Sequence, residues 1–355
     1  MKAVIEDVFG QVDQQEVRRF TLENDAGYQV VVMNYGATLL EYVTPDRDGQ
    51  MTNIVLGFSD FPSYVGNSPR FGASIGPVAG RIAGAAFDLK GHHYSLEANN
   101  GTNHLHGGTD GFESQLFLVD EVTKDYIRFY CHRPDGKGGY PGNLDVWITY
   151  SLFEDGQLHI DYRVETDQDT LVNPTNHAYF NLSGDFRSLL DDQILTLNQD
   201  GYYPIDENSL PIEPIDSNAS FLEDLRKGVS FQEIFHSDHP QLKTVGGLDH
   251  PFHLDPSREF AGEVYHAESG RRLRFQTDAS HLVLYTANVY DEQTKIDGDA
   301  ALIHNGLAIE CQELPNAIHG SNPQAVILPA GKVFTSQTIY HATADKESED
   351  SFNIL

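Results

Sequence analysis

Basic residues are scarce in this chain. Only 23 lysines and arginines stand against 53 aspartates and glutamates, a formal net charge of −30 over 355 residues. So acidic a surface repels nucleic acid and anionic membranes, and neither is expected as a partner. Cysteine is rarer still: Cys131 and Cys311 are the only two. That is too few for a disulfide framework, and two reduced thiols in a cytoplasmic protein are the expected state. No hydrophobic run approaches the roughly 20 residues of a membrane-spanning helix, and Glu6 and Asp7 interrupt the N-terminal stretch that would otherwise resemble a signal segment. Linker-like stretches, fixed-period repeats and breaks in composition are also missing. A single domain over residues 1–343 is therefore expected, followed by a polar, frayed tail at 344–355.

Helical periodicity is sparse as well. Phe221 to Lys227, Phe231 to Phe235 and Ser59 to Tyr64 (with Pro62 near its start) are the segments expected to form short turns of helix. What the chain does have is alternation. Leu158, Ile160, Tyr162 and Val164 interleave with His159, Asp161, Arg163 and Glu165, the period of a half-buried strand. Leu144 to Phe153 precedes it, and Glu154, Asp155, Gly156 and Gln157 supply a turn, so the pair is expected to form a hairpin. Tyr28 to Met33, Leu39 to Val43, Ile54 to Leu56, Tyr126 to Cys131, Gln193 to Leu197, Arg272 to Phe275, Leu282 to Thr286, Leu307 to Ile309 and Phe334 to Tyr340 read the same way. Gly, Asn, Asp and Pro punctuate them at short intervals. The fold class this implies is all-β, an antiparallel β-sandwich with a few short helices.

Against that background two segments carry candidate chemistry. Asn173 to Gly184 places His177 in an amide-rich, aromatic, strand-like stretch that ends in a turn, a setting able to fix an imidazole for proton transfer. The neighbouring amides Asn173, Asn176 and Asn181 are candidates to lock its tautomer and to bind hydroxyls. Leu307 to Gln312 sets Glu310 directly after an apolar run, at the expected end of a core strand; if buried there, its pKa rises toward neutrality. His104 and His106, two apart and followed by Gly107 and Gly108, would face the same side of an extended segment. They offer a substrate-binding or polarising role in preference to a metal site, because no further ligands follow at familiar spacing. Arg81 sits among small residues and its planar fork suits hydroxyl or carboxylate recognition. Asp249 lies at a turn beside a strand, either a turn former or a hydroxyl binder. Gly76 to Arg81 is not a phosphate loop, and serine-hydrolase and papain-like contexts are absent. No metal and no cofactor is expected.

Taken together these stretches resemble the aldose 1-epimerase (galactose mutarotase) family over nearly the whole chain. The resemblance is carried by Tyr35 to Ala37, Val55 to Phe58, Phe71 to Ala73, Gly80 to Ile82, His104 to Gly108, Gly139 to Leu144, Asn173 to Gly184, Gly247 to Asp249, Tyr285 to Asn288, Glu310 to Gln312 and Pro329 to Gly331, in family order. It implies the large galactose mutarotase-type supersandwich and a cleft for one hexose. It further implies Glu310 as general base and His177 as general acid. Arg81, His106, Asp249, Tyr179 and Asn176 are implied as substrate contacts, with His106 also polarising the ring oxygen. The reaction implied is interconversion of α and β anomers, by an acid and a base on opposite sides of the pyranose, in a cytoplasmic monomer or homodimer. Three positions depart from the family pattern: Gly80 where Asn is usual, Val283 where Gln is frequent, and Phe117 where Trp is common. They leave galactose, glucose and a reducing disaccharide such as maltose as alternative substrates. A hexose-6-phosphate epimerase, a non-catalytic sugar-binding protein on the same fold, and a glycosidase using Asp249 and Glu310 are the competing readings.

Overall fold

The structure, a computed structural model, describes residues 1–345 apart from Asn67 and Asp297. The expected frayed tail lies outside the described residues from 346 onward; up to Ala344 the chain is still in strand.

Alternating burial builds the main layer. Leu144–Leu152 and Leu158–Thr166 each bury every second residue, and they pair in the expected hairpin with Leu152 opposite Leu158. Seven more strands extend this pair into a nine-stranded antiparallel sheet. Val333–Ala344 joins the hairpin to Arg271–Thr277, Gly262–His266, Gln193–Leu197 and Val229–Ser230 on one side, while Tyr126–Arg133 and Leu118–Val122 complete the other. The opposing layer consists of two five-stranded antiparallel sheets. One runs in sequence order through Ile5–Val12, Gln15–Glu23, Gln29–Met33, Thr38–Pro45 and Met51–Asn53. The other has the order Tyr179–Phe180, Leu307–Gln312, His281–Tyr285, Asp249–Leu254 and Gln199–Tyr202.

The core lies between the layers. Ile148, Tyr150 and Ile160 of the large sheet join one apolar cluster with Val30, Leu39 and Tyr42 of the first small sheet and Leu282, Leu284 and Ile309 of the second. Two tyrosines that enter this core place their hydroxyls on backbone partners in the facing layer. Tyr340 donates to the Ile309 carbonyl at 3.0 Å and Tyr42 to the Gly156 carbonyl at 2.6 Å, which removes the cost of burying an unpaired hydroxyl.

Departures from the sequence reading have physical causes. The hairpin Ile5–Val12 with Gln15–Glu23 was not legible, because its first strand is largely exposed and shows no apolar alternation. Ile54 to Leu56 is not a strand; all three residues are fully buried, and only Val55 makes a bridge, to Phe180. Ser220–Lys227 and Phe231–Phe235 are helices as expected, the second closed by a Ser230/Glu233 capping box. Ser59 to Tyr64 contributes a 3-10 turn at Pro62–Tyr64, and a third short helix, Pro240–Val245, follows a proline start.

Candidate active site

The same alternation that fills the core presents a second face to a cleft. Along Leu307–Gln312, Leu307, Ile309 and Cys311 point into the core, so Glu310 and Gln312 point away from it. Glu310 is therefore inside the strand, not at its end as its place after the apolar run suggested. Register aligns Pro251, Val283 and Glu310 side by side on three neighbouring strands, and all three line the cleft. Asp249, two residues before Pro251, faces the same way. Arg81, in the short strand Arg81–Ile82 paired with His104–Leu105, and His106, just beyond that partner strand, also line the cleft.

His177 comes from the interrupted segment between Thr175–Asn176 and Tyr179–Phe180. Its backbone is fixed by His177 N to Ala73 O at 2.9 Å and Gly72 N to His177 O at 3.0 Å. Its Nε2 lies 3.5 Å from Glu310 Oε1, with both side chains buried. His106 is the next ring, its centroid 5.5 Å from that of His177. The structure thus brings together Glu310, His177, His106, Arg81 and Asp249.

Asn176 does not join them, which corrects its assignment as a substrate contact. Successive side chains of an extended chain alternate, so with His177 turned toward Glu310 Asn176 faces the interior. There its Nδ2 donates to the Gly72 carbonyl at 2.9 Å and the Tyr150 hydroxyl at 3.1 Å, and its Oδ1 accepts from Ala178 N at 3.0 Å. The other amides behave likewise. Asn173 clamps the backbone of Glu313 through two hydrogen bonds of 3.0 and 2.8 Å, and so anchors the end of the Glu310 strand. Asn181 binds the carbonyls of Ser188 and Asn305. None locks the His177 tautomer: its Nδ1 is buried with no partner among the described residues. Tyr179 is also corrected. Its ring packs beside the imidazole of His177, centroids 4.9 Å apart, and against Phe71 and Tyr285, so its contact is with His177. It braces His177.

His104 and His106 do not face one way. His106 has φ +56°, which breaks the alternation and turns its ring into the cleft, while His104 is held by the Glu97 carbonyl at 2.8 Å. The glycine that follows His106 is obligatory: a Cβ on Gly107, at φ +84°, would lie 2.1 Å from the Gly76 carbonyl oxygen. Gly80 N donates to His106 Nδ1 at 3.1 Å. The lone pair of Nδ1 is thereby occupied, so in the neutral ring the proton sits on Nε2 and His106 offers a donor. Ligand atoms of His106, His177 and Glu310 do approach within 4.8 Å of one another. The proton on His106 Nε2, however, suits a sugar oxygen and not a metal ion, which needs a free lone pair.

Burial governs the ionisation of the site. It pushes the Glu310 carboxyl up to about 8, with the nearby Asp249 charge adding to the rise and Arg70 and Arg81 opposing it. Burial and then Arg70 push His177 down to about 3. His106 is held well below its usual value, by burial first. Asp249 is raised to about 6 by desolvation, moderated by Arg81 and by a hydrogen bond from Ser209. With ligand absent, the pair at neutral pH is a carboxylic acid beside a neutral imidazole, with one exchangeable proton between them.

Three contributors were missed in the sequence. Arg70, paired with Glu113 at 2.9 Å, acts on all three central groups. Ser209 reaches the cleft from a turn and Gln312 from the strand. Gln312 had a signal: the i, i+2 spacing to Glu310 places both on one face. Arg70 and Ser209 had none.

A model of the aldose 1-epimerase family matches residues 18–341. The chain belongs to this family. It is 37% identical to galactose mutarotase of Sus scrofa over 346 residues, covering 95% of this chain and 98% of the relative. It is 33% identical to aldose 1-epimerase of Escherichia coli K12, covering 94% and 97%. Among solved structures, galactose 1-epimerase from Lactobacillus acidophilus superposes with a TM-score of 0.85 at 29% identity, covering 96% of this chain and 99% of that one. A Caenorhabditis elegans aldose epimerase homologue has a TM-score of 0.83 at 24% identity and shares the fold. The galactose mutarotase-like sandwich expected from the sequence is the fold of this epimerase. Among the described residues no helix is long and apolar enough to cross a membrane.

Proposed function

We propose that this epimerase interconverts the α and β anomers of a free hexose, with Glu310 and His177 as the proton-transfer pair. The observation that carries the reading is their contact, Nε2 to Oε1 at 3.5 Å, with Glu310 itself lining the cleft. The acid and base stand side by side and not across the ring, and the chemistry explains why. The hydroxyl that loses a proton and the ring oxygen that gains one are bonded to the same carbon, C1. Two neighbouring groups reach both.

Ring opening starts once the shared proton has passed from Glu310 to His177, leaving a carboxylate beside an imidazolium. Glu310 takes the proton of the C1 hydroxyl, and the electrons of that O–H bond form the carbonyl. The C1–O5 bond breaks, its electron pair goes to O5, and His177 protonates O5. The pair ends as carboxylic acid and neutral imidazole, the uncharged state that burial favours. Rotation about C1–C2 and the reverse transfers close the ring on the other face. His106 Nε2–H is oriented to donate to the ring oxygen, while Arg81 and Asp249 hold ring hydroxyls, which keeps the open chain near its reclosing geometry. Galactose and glucose are the substrates proposed. A sugar phosphate is disfavoured, because the cleft sets Arg81 beside two acidic side chains, Asp249 and Glu310.

Freshly dissolved α-galactose or α-glucose followed by polarimetry tests this. Equilibration faster than in buffer is expected, and a protein that leaves the rate at the buffer value refutes it. Sugar binding without anomerisation at any pH would instead favour the non-catalytic reading.

A further inference from the structure

Gln312 is only 2% exposed, yet neither its amide nitrogen nor its amide oxygen has a hydrogen-bond partner among the described residues. Buried amides are almost always paired, so an orphan of this kind marks an absent partner. Three features say where that partner belongs. Gln312 lies two residues beyond Glu310 on one strand, so both side chains face the cleft that Arg81 and Asp249 also line. Directly opposite on the next strand is His281, whose Nε2 is likewise buried and unpartnered among the described residues. Finally, a Cβ on Gly80 would sit 3.6 Å from Gln312 Nε2 and 2.8 Å from Pro315 Cβ. The amide thus borders the space into which a side chain at position 80 would project. This chain has glycine at 80 and valine at 283, so neither position offers the cleft a side-chain hydrogen bond.

We propose that Gln312 is a substrate-binding residue whose amide pairs with a ring hydroxyl of the hexose on the side remote from C1, and that this contact sets which hexose the cleft prefers. The inference rests on the proposed hexose substrate. Two residues of strand are about 6.6 Å, so with C1 at Glu310 the amide stands roughly one ring length away, beside the C3 and C4 hydroxyls. A primary amide suits such an edge. Its nitrogen donates to one oxygen, its oxygen accepts from a neighbouring hydroxyl, and it adds no charge to a cleft that already holds two carboxyl groups.

The test is steady-state polarimetry on wild type and Gln312→Leu with galactose, glucose and 2-, 3- and 4-deoxygalactose, with melting temperatures measured alongside. Gln312→Met, unbranched and similar in shape, serves if leucine disturbs folding. KM for galactose is expected to rise about tenfold with kcat within about threefold. The melting temperature should not fall, since no protein partner is lost. The 3- or the 4-deoxy sugar should show the same KM in wild type and variant, because the contact is already missing. An unchanged KM for every sugar overturns the inference, as does a loss of kcat that tracks a lowered melting temperature. If wild type turns over hexoses and the variant matches it, this inference alone fails. If wild type turns over no hexose, the functional reading fails, and calorimetric binding of galactose to both proteins still decides the role of Gln312, which requires weaker binding by the variant.

Discussion

Glu310 and His177 lie 3.5 Å apart, and burial raises the one and lowers the other. At pH values between their shifted values the pair holds a single proton, which rests on Glu310. Below the lowered value near 3 both are protonated and no base remains; above the raised value near 8 neither is protonated and no acid remains. The pH profile of kcat/KM should therefore stay flat through the mildly acidic and neutral range and fall above about 8. An activity that keeps rising through pH 9 contradicts the shared proton. Arg70 lowers both values, so Arg70→Met should move the alkaline limb upward, read in the same profile. Stability follows a linked sign. A carboxyl raised on folding is protonated in the native state, so its cost is absent below its unfolded value of 4.5 and grows as the pH rises to about 8. Glu310→Gln removes that cost, and its Tm should exceed wild type by about 3 °C at pH 8 while matching it near pH 4, measured by calorimetry.

Strands and loops position these groups through different devices, and the devices differed in how well they could be read. The Leu307–Gln312 strand was visible from its apolar run, and alternation then dictates that Glu310 and Gln312 share a face. The same rule, applied between His177 and Asn176, would have excluded Asn176 from the cleft. The position of His106 was illegible, because it depends on a left-handed backbone at a non-glycine residue. So was the use of Asn173 as a clamp, because its partner, the Glu313 backbone, lies 140 residues away. Both devices are testable. Gly107→Ala meets the Gly76 carbonyl and should lower kcat/KM at least tenfold and reduce Tm, as polarimetry and thermal melting would show. Asn173→Ala leaves the Glu313 backbone unpaired and should destabilise the protein by about 1–3 kcal/mol in urea titration; a neutral result would mean the strand end holds without the clamp.

The molecule as a whole carries a net charge of −30 and is proposed to act on an uncharged sugar. The two facts are compatible because steering matters only for charged ligands. Raising salt to about 0.3 M should change kcat/KM for galactose less than twofold, whereas self-repulsion of the surface is screened and Tm should increase. The fold was legible because a sandwich writes itself into sequence as alternation, and Leu144–Leu152 with Leu158–Thr166 state it plainly. What the sequence lacked was any sign of how three sheets meet, since contacts such as Tyr340 to Ile309 arise only in the assembled core.

The central claim is that one imidazole and one carboxyl serve a single anomeric carbon. The most direct measurement is a polarimetric double-mutant cycle of wild type, Glu310→Gln, His177→Asn and the double variant with α-galactose. Each single variant should lose about 10³-fold in kcat, and the double should be no slower than either, because removing one partner already disables the pair. Full activity in either single variant, or losses that multiply in the double, would contradict it.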